Sequence, residues 1–214
     1  MSNEDARLIG FQRGGSAADQ FRFLRSNSEQ ELLASQGLPP YTELSRRGRG
    51  WQVMDTSATA AVVVRPSTVA GLTVYNGETG ATAKSYVIDR VGAFNLVTTA
   101  ALSDWSIWAC IHPAGMTAPT ADITAIKGMN GGTYAGSAIV DTGATVVDNG
   151  WFPVGGGHVI HGVGVTPGTA SVVEIGGRLI VPATGALSIN VVASITGLTF
   201  THFISWYEVE LDLD

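Results

Sequence analysis

Residues 200–213 read FTHFISWYEVELDL, and this stretch decides the fold. Phe203, Tyr207, Val209, Leu211 and Leu213 share one parity, while Glu208, Glu210, Asp212 and Asp214 take the other. A period of two over a dozen residues predicts a half-buried strand, with one apolar face and one wet face. On this reading Trp206 shares the wet side with Ile204, Glu208 and Glu210. Its ring is then expected to be half-exposed or covered by a neighbouring subunit.

Working back from that strand, the chain keeps the same style. Leu187–Ile195 is followed by Gly197, and Ser171–Ile175 and Arg178–Val181 flank Gly176–Gly177, which reads as a hairpin with a two-residue loop. Trp105–Ile111 stops before Pro113. Ser85–Val97 is a long strand candidate, with Gly92 as the expected bulge or bend. Leu72–Tyr75 ends at the tight-turn dipeptide Asn76–Gly77, and Ala60–Arg65 is a β-branched run stopped by Pro66. No helical period of comparable strength follows residue 51, and no fixed-period repeat is visible. Eight or so strands separated by Gly, Pro, Asn and Thr turns predict an all-β fold, an antiparallel β-sandwich or jelly roll over residues 51–214. The glycine-dense region from Gly128 to Gly168 predicts short strands and long loops, where partner contacts usually sit.

The charge distribution divides the chain. Residues 1–50 carry 7 Arg and 6 acidic residues, a net of +1; residues 51–214 carry 5 basic and 12 acidic residues, a net of −7. The first segment reads as a polar, partly helical N-terminal arm. Ser28 and Glu31 fit a capping box, Ala17–Arg25 is a second short helix presenting Phe21 and Leu24, and Pro39–Pro40 stops any helix. Two helices of about nine residues are marginal in water and need a surface to lie on. The single cysteine, Cys110, excludes an internal disulfide framework. No run of about 18 apolar residues is present, so no membrane partner is expected.

The chemistry-bearing motifs are sparse. Lys127–Thr133 has the glycines of a phosphate loop but lacks the trailing Gly-Lys-Ser/Thr, so no nucleotide cofactor is expected. His158 and His161 are the candidate metal ligands, with Asp148 or Glu174 as possible oxygen donors; their spacing departs from the cupin pattern, and a solvated loop pair is the simpler reading. Cys110 and His112 share a strand parity, yet a buried thiol is usually inert. Arg46, Arg47 and Arg49 form a basic cluster beside Glu43, too small against an acidic body, in a chain of pI near 5.1, to indicate nucleic acid. These arginines, with Phe21, Leu24 and Trp206, are the expected interface residues. Trp105 and Trp108 differ in parity, so at least one faces away from the core.

Residues 51–97, with VVVRPSTVAGLTVYNGETG and KSYVIDRVGAFNLV, and the closing GRLIVPATGALSINVVASITG and FISWYEVEL, together resemble the jelly-roll capsid decoration and cement proteins of tailed bacteriophages. The resemblance lies in style and order of elements over about half the chain. It implies a virion component without enzymatic activity, a homo-oligomer with a trimer favoured, and a major capsid protein or other virion proteins as partners. A receptor- or glycan-binding tip and a metal-dependent jelly-roll enzyme are the alternatives from the same architecture.

Overall fold

The computed structural model describes residues 41–97, 103–123, 125–159 and 169–210. The expected arm helices, with Phe21 and Leu24, lie outside these residues, as does His161.

The described residues form one five-residue helix, α1 (Thr42–Arg46), and strands packed as two sheets whose ladders are antiparallel. The strands are β1 (Gly50–Met54), β2 (Thr59–Ala60), β3 (Leu72–Asn76), β4 (Ser85–Val97), β5 (Ser103–His112), β6 (Lys127–Gly128) and β7 (Ala138–Thr142). After them come β8 (Phe152–Val159), β9 (Ala170–Glu174), β10 (Ile180–Val181), β11 (Ala186–Ala193) and β12 (Thr199–Val209). The seven-stranded sheet runs β10-β4-β12-β1-β6, with β2 on β12 and β9 on β4; the five-stranded sheet runs β7-β3-β11-β5-β8. This is a β-sandwich.

The core lies between the sheets and is filled by alternate residues of each strand. Val53, Leu72, Val74, Ile88, Val91, Ile107, Leu187, Ile189, Val191, Phe200, Ile204 and Trp206 are all buried there. β12 therefore faces the opposite way from its expected orientation. Phe200, Ile204 and Trp206 point inward, whereas Phe203 and Tyr207 lie on the outer face, opposite Met54 and Gly50 of β1. Trp206 is 0 % exposed within its own chain, stacked on Tyr86 at 5.7 Å, so it is not an interface residue. The physical reason is that β12 is central, with β4 on one edge and β1 on the other. Glu208, on the inner parity, is sheltered at the sandwich end, accepting bonds from the Tyr134 hydroxyl at 3.0 Å and from the Lys84 ammonium at 3.5 Å.

Several local expectations also shift. β4 passes through Gly92 in register. Its ladder to β12 is interrupted by a bulge at Asp89, where it skips from Ser205–Arg90 to Trp206–Ile88, and again at Leu96, where it skips from Phe200–Asn95 to Thr199–Val97. Gly176–Gly177 does not close a hairpin. β9 and β10 run in the same direction along one edge of β4, and the Gly-Gly link between them folds onto the bulge. The Ile175 and Gly176 amides donate to the Asp89 carbonyl at 2.7 and 2.9 Å, and Gly177 donates to the Ile88 carbonyl at 2.8 Å. Both glycines have positive φ, 58° and 80°, which this path requires. β3 ends at Asn76 as expected, but the chain then crosses to the other sheet. In the Ala60–Arg65 run only Ala60 belongs to a strand, and Val63 and Val64 are exposed. Within the glycine-dense region, Gly155–Gly157 lie inside β8 because the Trp105 ring packs where a Gly157 side chain would stand, 2.9 Å from its Cβ position.

Candidate functional site

The two sheets differ in what covers their outer faces. On the five-stranded sheet, residues 144–151 fold back over the strands, and Ala70, Cys110, Ala144, Val146 and Trp151 make a second small core with Trp108 and Met116. The Trp151 indole donates to the Ser67 carbonyl at 3.0 Å and holds this cover in place. Trp105 faces the main core and Trp108 the cover, as their parities require.

A polar relay runs under the same cover, buried from Thr73 to His112 and reaching the surface at Asn149. His112 bonds the Asn149 side-chain oxygen through Nδ1 at 2.8 Å and the Ser188 hydroxyl through Nε2 at 2.9 Å; Thr73 lies 2.8 Å beyond Ser188. With Nδ1 protonated, donation runs one way, from Thr73 to Ser188 to His112 to Asn149, and the imidazole is neutral. Burial pushes the His112 pKa below its ordinary value, against an opposing bond from Asn149. The order of groups is that of an acyl-transfer relay. Ser188, however, is fully buried, so a substrate carbonyl has no approach to its hydroxyl. Both His112 nitrogens are engaged by Asn149 and Ser188, and the Cys110 thiol is buried, its pKa pushed up by desolvation.

A second buried pair sits inside the sandwich. Asp55 accepts at one oxygen from the His202 Nδ1, 2.7 Å away, and from the His202 backbone amide, 2.9 Å away. The ring lies against Gly71, where a Cβ would stand 2.5 Å from Nε2. This pair ties the end of β1 to β12.

The candidate metal ligands among the described residues, His158, Asp148 and Glu174, are each engaged by a different partner. His158 is exposed and pairs across the β5–β8 ladder with Asp104. Asp148 is held by a two-point bond from Arg65 at 2.5 and 2.9 Å, which, with the Gly150 amide, lowers its pKa to about 2. Glu174 pairs with Arg90 at 3.3 Å. Among the described residues no group of three His, Cys, Asp or Glu side chains could hold a metal ion. Arg46 and Arg47 are exposed at the end of α1, and Arg49 lies 3.9 Å from Glu210.

The outer face of the seven-stranded sheet is different. Directly opposed residues of an antiparallel ladder share a face. One polar row crosses five strands as Lys127, Gln52, Ser205, Arg90 and Glu174, from β6 through β1, β12 and β4 to β9. Beside it runs an apolar row of Met54, Phe203, Gly92 and Val172, followed by Thr201, Phe94 and Ala170. Met54 is 43 % exposed and Val172 48 %. Phe203 and Val172 converge over Gly92, whose Cβ position would lie 3.6 and 3.3 Å from them. On the β6 side, Gln52, Val53, Met54, Ala125, Lys127 and Phe203 line an open groove. Toward the β12 end the face is closed, because Tyr207 packs with Gly50, Met129 and Ser45 of α1.

Sequence reasoning missed this face because it assigned Phe203 and Tyr207 to the core. The signal that would have corrected it is the second parity, which holds Phe200, Ile204 and Trp206 together. The site is thus a mixed apolar and charged surface on a β-sandwich. No family model and no curated protein matches the chain.

Proposed function

We propose that the chain is a non-enzymatic structural protein of a virion, of the capsid-decoration or cement type, which stabilises an assembly through contacts between jelly-roll bodies. The observation that carries this reading is the contrast between the two outer faces. The relay of His112 and Ser188 is sealed beneath a folded-back loop, while the seven-stranded sheet exposes Met54, Val172, Lys127, Arg90 and Glu174 on either side of a buried Ser205. An apolar stripe fixed on rigid strands suits adhesion, since its side chains lose little freedom on docking.

The jelly-roll assignment draws on strand order. With β9 and β10 taken as one edge strand, the eight principal strands in chain order are β1, β3, β4, β5, β8, β9/β10, β11 and β12. Numbered one to eight, they lie as 1-8-3-6 in one sheet and 2-7-4-5 in the other, the order of two interlocked Greek keys. Residues 1–50 act as an arm toward a major capsid protein or other virion proteins, with Arg46, Arg47 and Arg49 at its base, and a homotrimer is the proposed unit.

The test is co-sedimentation of the full-length chain with undecorated shells of the phage that encodes it. Saturable binding that raises the temperature of shell rupture is expected. Absence of binding, with shells unaltered in heat resistance, overturns the reading.

A further inference from the structure

We propose that the outer face of the seven-stranded sheet binds the same face of a second copy of this chain, about a two-fold axis running along β12 beside Phe203 and Ser205. This rests on that face being the adhesive one and adds the identity of its partner.

The argument is the symmetry of the two rows about β12. A two-fold axis parallel to a central strand keeps each row at its own level and exchanges left for right. Lys127 stands two strands to one side of β12 and Glu174 two strands to the other, each about 10 Å away. The rotation therefore sets Lys127 of one copy against Glu174 of the next, twice per contact. Gln52, one strand out, meets Arg90. In the apolar row Met54 of one copy meets the Phe203 and Val172 side chains that cover Gly92 of the next, and Phe203 meets its own copy. Ala125, which lines the groove beyond Met54, faces Val172. Apolar groups thus meet apolar groups, and each charge at the ends of the row finds its opposite.

The charge of this face differs from that of the whole chain. The chain carries a net −6 and repels its copies at long range. On this face Lys127 and Arg90 offset Glu174 and the neighbouring Asp89, so the patch itself is balanced. Five strands by three rows span about 25 by 20 Å, roughly 1,000 Å² in total for two copies, which is the weak end of specific interfaces. A dissociation constant in the micromolar range is expected, and the contact doubles whatever unit other surfaces build.

Sedimentation velocity and native mass spectrometry of the full-length chain test this. Species with an even number of chains should form as concentration rises. Lys127→Glu and Glu174→Lys, both at exposed positions, should each weaken that step at least tenfold, because like charges then face each other. Mixing the two single variants should restore it, since one copy then carries glutamate at both positions and the other carries lysine at both. The double variant should also pair. Absence of even species overturns the proposal, as does a mixture that fails to pair. Association indifferent to both substitutions overturns it too, while leaving the assembly reading to another surface.

Discussion

Replacing Trp206 by Ala tests the orientation of β12, on which the assignment of the outer face depends. The ring is fully buried, stacked on Tyr86 at 5.7 Å and edge-on to Tyr134 at 6.4 Å. A tryptophan buries about 200–250 Å², worth roughly 5–6 kcal/mol at about 25 cal/mol per Å². Its indole N–H finds no hydrogen-bond acceptor, which offsets about 1–2 kcal/mol of that gain. The expected loss is about 4 kcal/mol, within the usual range for a buried aromatic cut to alanine. Phe203 is only half-buried, on the outer face, so Phe203→Ala should cost about 1–1.5 kcal/mol. Urea unfolding followed by tryptophan fluorescence and circular dichroism separates the two. With a slope of about 2 kcal/mol per molar, Trp206→Ala should lower the midpoint by about 2 M and Phe203→Ala by about 0.5–0.7 M. Trp206→Phe, which keeps a ring and removes the orphan donor, should fall between them. The measurement belongs at low protein concentration, where association adds nothing to stability. If Phe203→Ala costs as much as Trp206→Ala, the strand faces the other way and the outer rows do not exist.

The His112 relay sets a pH dependence. Burial lowers its pKa in the folded state, so below an ordinary value of about 6.5 the unfolded chain takes up the proton first and stability falls as pH drops toward the folded pKa. His112→Gln should flatten that part of the profile, and an unchanged slope in equilibrium unfolding between neutral and mildly acid pH argues against the relay. Asp148 should titrate at about 2 by carbon-detected NMR, and Arg65→Gln should return it toward about 4; a value that does not move in the variant shows the two-point bond is not formed in solution. Gly71→Ala would place a Cβ 2.5 Å from the His202 ring, which Asp55 holds, at a cost of about 1–3 kcal/mol. A thermal midpoint equal to that of the unmodified chain means the ring is not against Gly71.

Much of the strand content was legible in the sequence. β4 and β5 lie where alternation, β-branched residues and a following Pro113 put them, and the sandwich follows from their number and their turns. These are local properties, set by which side chains fit a pleated surface and which residues break it. Which face of a strand looks inward is not local. In 200–213 both parities carry apolar groups, and a central strand has both faces partly covered, so alternation marks the period and leaves the sign open. Packing settled it: Trp206 fits against Tyr86 and Tyr134, while Glu208 is tolerated inside because Lys84 and Tyr134 reach it. Likewise Gly176–Gly177 announces a tight reversal, but only the bulge at Asp89 makes it a link between two segments of one edge strand. The rows from Lys127 to Glu174 join five strands distant in sequence. They exist only through the register of four ladders, and tertiary structure alone brings those ladders together.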